Sequence, residues 1–396
     1  MEWPLQFGLF LAPLHHPQQN PTRALRRDLE LIVRAEELGY TEAWIGEHYS
    51  TGHEIIAGGD LFVAAAAERT KRIRLGTGAT SLPFHHPFVV ASRAVQLDHM
   101  TMGRYVLGVG PGSLPTDSTM MGLDHLKQRQ MMAESFEAIH ALLTSDEPVT
   151  RATDWFTLNE AELQLKPFSY PLFEMAVAAV ESPAGPVLAG RYGASLLSLA
   201  AASGPGFIAM PRMWGVLEGT AKEFGRTVDR RSWRVTGLLH VASSYEQAVA
   251  DVRHGLPQYM DYMGRVTSKV VGDDTPTGKP DPRTVGIEEL VEGLNASSAG
   301  CVGGPEEAAA FIQRLVDNSD GGIGTFLLMM NDWADPEATF RSLEIISREV
   351  FPAFQGSNRS LIAAQERAAG LRPSAAQVSR TAVRQASEGY GSSRAG

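Results

Sequence analysis

A single cysteine, Cys301, stands among 396 residues, which excludes an intrachain disulfide and any multi-cysteine metal cluster. A lone thiol is compatible with a reducing cytosol. Positive charge is not in excess either. Lys and Arg number 35 against 45 Asp and Glu, a net charge of −10 that repels nucleic acid and anionic membrane surfaces. Long apolar runs are missing: the richest, Leu61 to Ala67, ends at Glu68, Arg69, Lys71 and Arg72, far short of the roughly 18 residues of a membrane span. The start, Met-Glu-Trp-Pro-Leu-Gln, lacks a basic region followed by an apolar stretch, so no signal peptide is expected. Metal-binding spacings are absent as well. His15, His16, His53, His85 and His86 fall in loops after early strands, but no H-x-H or H-E-x-x-H occurs, and no metal is expected. These absences predict a soluble, cytoplasmic protein with neither nucleic-acid nor membrane partners.

What is present is alternation. Gln6 to Leu11, Ala43 to Gly46, Ile73 to Gly78 and Tyr105 to Gly110 are short apolar runs suited to buried strands. Further candidates are Met175 to Val180, Leu196 to Leu199, Val235 to Ala242 and Thr325 to Met330. Helical spacing lies between several of them, as in Thr22 to Leu38, which stops at Gly39. This order predicts parallel strands with covering helices; eight strands would close a barrel, and an open doubly wound sheet is the alternative. The barrel is expected over 1–355. The polar, Gly- and Pro-rich stretch from Val270 to Pro282 suggests a mobile lid or insertion at about 265–295. Residues 356–396 form an extension, helical over Ser360 to Ala369 and disordered after Arg372.

In parallel α/β proteins the chemistry sits at the carboxyl ends of the strands. Glu47-His48-Tyr49 follows the second strand, and His48 could serve there as general base or proton donor, or be an ordinary loop histidine. Gly108-x-Gly110-x-Gly112 has the wrong spacing for a dinucleotide fingerprint, and Pro111 interrupts it. Glu181-Ser182-Pro183-Ala184-Gly185 precedes a helix whose N-terminus could hold a phosphate, with Ser182 otherwise a simple cap. Arg129 and Arg191 could add charge-assisted contacts to that phosphate.

Taken in order, several blocks resemble the bacterial luciferase-like flavin monooxygenases. Glu42 to Tyr49 resembles the segment E-x-W-x-x-E-H-H, followed by Arg74 to Pro83, His86-Pro87, Leu97 to Arg104 and Val302-Gly303-Gly304-Pro305-Glu306-Glu307. Phe7 to Pro13, Ser182 to Pro186 and Thr227 to Arg231 resemble limonene-monooxygenase-like members. The resemblance implies a TIM (β/α)8 barrel that binds reduced FMN (FMNH2) supplied by a separate NAD(P)H:flavin reductase. With O2 as cosubstrate, a flavin C4a-hydroperoxide would place one oxygen atom into a small apolar substrate, terpene or polyketide-like, by epoxidation, hydroxylation or Baeyer–Villiger insertion. A homodimer is implied too.

By the same resemblance, His48 assists the oxygen chemistry and Glu47 orients its loop. Gly78 and Ala79 support the isoalloxazine ring; Arg129, Glu181, Ser182, Gly185 and Arg191 meet the ribityl chain and phosphate. Phe10, Tyr49, Leu82 and Trp214 are candidates for the substrate pocket. Two positions depart from the pattern: Tyr49 replaces a second histidine, and Pro111 replaces a phosphate-binding arginine of luciferase, so light emission is not implied. A deazaflavin-dependent dehydrogenase on the same barrel and a non-catalytic flavin-binding protein are the alternatives.

Overall fold

The structure, a computed structural model, describes residues 3–202, 204–271 and 281–392. Its frame is eight parallel strands: β1 (Gln6–Leu14), β2 (Glu42–Ile45), β3 (Arg74–Thr77), β4 (Tyr105–Gly110), β5 (Glu174–Ala179), β6 (Ser195–Ser198), β7 (Arg234–Val241) and β8 (Thr325–Asn331). Each pairs with the next, and β8 pairs with β1, so the sheet closes on itself as a TIM barrel rather than opening into a doubly wound sheet. Local signals set the covering helices. Asn20 accepts a hydrogen bond from the Arg23 amide at 3.2 Å, Pro21 opens helix Pro21–Leu38, and Gly39 ends it at φ +90°.

Period-2 alternation along the strands fills the barrel in layers. At the amino-terminal end lie Glu42, Arg74, Glu174 and Arg234, one from each of four strands, joined as ion pairs. Beyond them in the interior, Trp44, Val106, Ala176, Leu197 and Leu327 form an apolar plug with Phe10. Gly76 and Gly108 make room for the Trp44 ring: a Cβ on Gly76 would lie 2.6 Å from it. The next layer, Phe10, Gly78, Gly110, Ala178, Leu199 and Met329, faces a cavity at the carboxyl end. The plug is therefore the floor on which the site rests.

Other elements decorate the frame. The short strand Gly300–Gly303 extends the outer half of β7. Val149–Ala152 and Thr157–Ala161 form an antiparallel hairpin that the sequence reading does not anticipate, because its faces are largely exposed and carry no clear apolar period. The interval 265–295, expected as a lid, is helical at both ends, within Leu256–Val271 and Ile287–Ser297; residues 272–280 lie outside the described residues. Among the described residues no helix is long and apolar enough to cross a membrane.

The chain divides into two compact units, Met1–Phe351 and Pro352–Gly396. The second carries the long helix Arg359–Ser392, which runs on past Arg372, where disorder is expected. The composition favours this helix: Ala, Arg, Gln and Glu are good helix formers. Arg384 and Glu388 pair at i,i+4, 3.8 Å apart.

Candidate active site

The cavity at the carboxyl end holds about 780 Å³ of open space including its mouth. Its floor is Phe10, Ala178, Leu199 and Met329. One wall is Gly78-Ala79, joined by a cis peptide bond, with Gly110 to Ser113 beside it. Glu47, His48 and Glu54 stand on the β2 side, and Tyr259 and Met263 come from helix Leu256–Val271.

His48 is clamped between two carboxylates. Its Nδ1 lies 3.0 Å from Asp117 Oδ2 and its Nε2 lies 2.9 Å from Glu54 Oε2. Burial alone would pull the imidazole down, but the bonds and charges of Asp117 and Glu54 outweigh it and push its pKa up to about 10. At neutral pH the ring is thus an imidazolium that donates from both nitrogens. Asp117 is the fixed partner: it also takes the Tyr49 amide at 3.2 Å and the Ser50 hydroxyl. Burial raises its carboxyl, but the His48 and Ser50 bonds overcome this and hold it below the usual range. Glu54 faces the cavity and accepts the Tyr262 hydroxyl at 3.0 Å on its other oxygen.

Glu47 works on the neighbouring loop. Its buried carboxylate accepts the Ser81 amide at 2.8 Å and approaches His85 Nε2 at 2.9 Å, fixing the segment that follows Gly78-Ala79. Neither Asp117 nor Glu54 is singled out by sequence reasoning; their only signal is that they are carboxylates in loops at strand ends.

Five expected residues, Phe10, Glu47, His48, Gly78 and Ala79, share this cavity. Others stand around it. Tyr49 packs edge-on against Phe84, with its hydroxyl 3.4 Å from His85 Nε2. Leu82 is fully buried in the short turn Leu82–Phe84 and does not line the cavity. Ser182 precedes helix Ala184–Tyr192 and accepts the Ala184 amide at 3.4 Å. Gly185 sits so close to β5 that a Cβ would lie 3.1 Å from the Ala178 carbonyl. The Glu181 carbonyl receives Arg212 Nη2 at 3.3 Å, a cation that sequence reasoning misses. Arg129 is exposed in the first turn of helix Gln128–Thr144. Beside it Gln128 is buried with neither side-chain amide atom partnered, and its Nε2 lies 3.0 Å from the Cβ position of Gly112 on the cavity wall.

Two expected residues lie away from the places proposed for them. Arg191 lies in the last turn of helix Ala184–Tyr192, about 10 Å along the axis from the N-terminus that would hold an anion. Its guanidinium covers the rings of Tyr192 and Phe224 instead. Trp214 is buried on helix Gly204–Glu223 and stacks at 5.1 Å on Trp233, which precedes β7 at the opposite end of the barrel.

Comparison with known proteins agrees with the closed barrel. Residues 5–319 match the model of the family described as luciferase-like monooxygenase. The chain is 41% identical to limonene 1,2-monooxygenase of Rhodococcus erythropolis over 391 residues, 99% of this chain and 97% of that one. It is 45% identical to 4-hydroxyprotoasukamycin monooxygenase of Streptomyces nodosus subsp. asukaensis over 355 residues, covering 89% and 93%. Among solved structures, the oxygenating constituent of 3,6-diketocamphane monooxygenase from Pseudomonas putida, a type II Baeyer–Villiger enzyme in complex with FMN, is similar at TM-score 0.70. The two are 26% identical, over 88% of this chain and 98% of that one.

Proposed function

The chain belongs to the luciferase-like monooxygenase family, and from that premise we propose that it is a flavin-dependent monooxygenase of the two-component kind. It takes reduced FMN from a separate NAD(P)H:flavin reductase and places one atom of O2 in an apolar organic substrate by epoxidation, hydroxylation or Baeyer–Villiger insertion. The observation that carries the reading is His48, clamped between Asp117 and Glu54 on the wall of a cavity with an apolar floor.

The residues present fit the cofactor. Gly78, Ala79, Gly110 and Ala178 give a wall of minimal side chains, and a Cβ on Gly110 would already stand 3.2 Å from that of Ala79. A flat ring system needs such a surface. The unpartnered Gln128 amide offers a donor and an acceptor beside Gly112. Ser182 with the N-terminus of helix Ala184–Tyr192, together with Arg129, would meet the phosphate. Reduced FMN supplies the two electrons that divide O2 into the inserted oxygen atom and one molecule of water.

The chain's own residues provide the rest. Phe10, Leu199 and Met329 keep water from the reacting end of the substrate. His48 stores a proton at the cavity wall, and Glu54, the partner that faces the cavity, is the one whose place a reacting oxygen can take. Asp117 keeps the ring oriented during that exchange. Glu47 holds the Gly78-Ala79 segment through Ser81. In the two-component reading the protein acts as a homodimer, which light scattering checks.

The test is an assay with NADH, a flavin reductase, FMN and 18O2 over a panel of alkenes, ketones and polycyclic aromatics. One labelled oxygen atom per product molecule, formed only with FMN present, is expected. Unlabelled product, or product formed equally well without flavin, contradicts the reading.

A further inference from the structure

A hydrogen-bonded chain leaves each ring nitrogen of His48. From Nδ1 it runs through Asp117 to the Ser50 hydroxyl and on to Thr116 Oγ1, 2.7 Å from Ser50. From Nε2 it runs through Glu54, whose Oε2 holds the ring at 2.9 Å and whose Oε1 accepts the Tyr262 hydroxyl at 3.0 Å. The Tyr262 oxygen in turn lies 3.0 Å from Thr51 Oγ1. Both chains end at exposed residues, Thr116 and Thr51. Only the second leaves from the nitrogen whose partner, Glu54, faces the cavity.

The second chain is ordered at every link. The single hydrogen of the Tyr262 phenol lies toward Glu54, so the Thr51 hydroxyl donates to Tyr262. Burial, and then the charge of Glu54, raise the Tyr262 pKa above that of an ordinary phenol, with Asp117 adding to the effect. Tyr262 therefore passes a proton on only as it receives another. It is 5% exposed, and the His53 ring lies against it at 4.2 Å between centroids, with His53 Nδ1 3.1 Å from the Thr51 carbonyl. Tyr262 also lines a second cavity, about 870 Å³ including its mouth, whose walls include the exposed Gln18, His254 and Gln258. Thr51 adds an independent sign. It stands at φ +73°, in the left-handed region that a β-branched residue avoids and glycine enters freely. Strain of this kind persists where the surroundings hold it, and it gathers at functional sites.

We infer that Glu54, Tyr262 and Thr51 form the route by which a proton returns from solvent to His48 Nε2. This rests on the preceding reading of His48 as the proton store. Once the Nε2 hydrogen has gone to a reacting oxygen, Nδ1 keeps its own on Asp117, so the missing proton must come back at Nε2. A path through the cavity would bring water over the apolar floor of Phe10, Leu199 and Met329. The side route avoids this. Glu54, displaced from the ring, still holds the Tyr262 hydroxyl on its other oxygen. It takes the phenolic proton as Tyr262 takes that of Thr51 and Thr51 takes one from water. Back at the ring, Glu54 gives the proton to Nε2. One proton enters per turnover and no electrons move. Tyr262 and Thr51 act through Glu54 and touch no reacting atom.

The same transfer runs in the resting protein, where His48 Nε2 loses its hydrogen to Glu54 and recovers one along the route. It is read by NMR as hydrogen exchange at the two ring nitrogens of His48, in full-length protein labelled with 15N-histidine and free of flavin. Tyr262→Phe and Thr51→Gly each slow exchange at Nε2 by about tenfold or more, a modest share of the worth of a positioned proton donor. Exchange at Nδ1 stays as it was, and Thr51→Ser, which keeps the hydroxyl, keeps the unaltered rate at both nitrogens. Thr51→Gly relieves the backbone at φ +73°, so the test stands even where Tyr262→Phe does not fold. Exchange at Nε2 that is unchanged or faster in Thr51→Gly, or slowed equally at Nδ1, overturns the inference. A coupled assay that yields no oxygenated product speaks against the flavin reading instead, because the exchange is measured without flavin.

Discussion

At His48 the balance between burial and charge sets the chemistry. Desolvation favours a neutral ring, yet two carboxylates within 3.0 Å keep it protonated up to about pH 10. His48→Ala is therefore expected to lower coupled oxygenation by about 100-fold or more, the usual worth of a positioned proton donor, and to lower the melting temperature as well, because Asp117 and Glu54 lose their partner. Asp117→Asn should bring the His48 pKa back toward the ordinary histidine range, as followed by NMR titration of the ring protons; a value that stays near 10 would show that Glu54 alone sustains the charge. The sign for stability follows: because the folded pKa is raised, the stabilisation is fully present below the unfolded value of about 6.5 and is lost as pH rises through about 10. His48 and Glu47 are legible in the sequence because they are adjacent and end a strand. Asp117, 69 residues from His48, is not. A loop carboxylate resembles any solvated one until the closed barrel brings it to a partner.

Among the elements, the strands are the most legible part, because buried parallel strands must be short, apolar and repeated. Their period of two even orders the barrel interior into its ionic, apolar and cavity-facing layers. Helix ends are harder, since nearness in sequence is not nearness in space. Arg191 follows the Ser182 loop by only nine residues, but a helix of that length carries it to the far end. Trp214 fails for a similar reason: an aromatic residue on a long helix gives no sign of which end of the barrel it packs against. The length of the C-terminal helix is hard to read because a polar, Ala-rich segment without an apolar stripe looks the same whether it is helical or disordered. The phosphate site proposed at the start of helices Ala184–Tyr192 and Gln128–Thr144 yields a test at this scale. Arg129→Ala should weaken FMN about tenfold, the size of one charge-assisted contact, and leave riboflavin affinity unchanged in a fluorescence titration. An equal loss for both flavins would remove Arg129 from the phosphate.

For the whole molecule, the barrel is tied at its base and open for chemistry at its top. Arg234 bonds Glu42 and Glu174 across the interior, and Arg74 joins the same two carboxylates. Arg234→Met leaves buried carboxylates short of a partner and should cost about 3–5 kcal/mol in urea unfolding, whereas a loss below about 1 kcal/mol would show that the network contributes little. Glu174 is buried, which raises its pKa, but Arg234 and Arg74 outweigh that and lower it to about 2. Its contribution is accordingly present above the ordinary value of 4.5 and is lost as pH falls through about 2. The architecture was legible as a closed barrel only through the order of several sequence blocks, since alternation alone also allows an open sheet. The cofactor is the claim on which the rest depends. It is tested most directly by anaerobic titration of the purified protein with reduced FMN and, in parallel, with a reduced deazaflavin. The account predicts saturable binding of reduced FMN with the deazaflavin bound weakly or not at all; no binding of reduced FMN, or a preference for the deazaflavin, would contradict it.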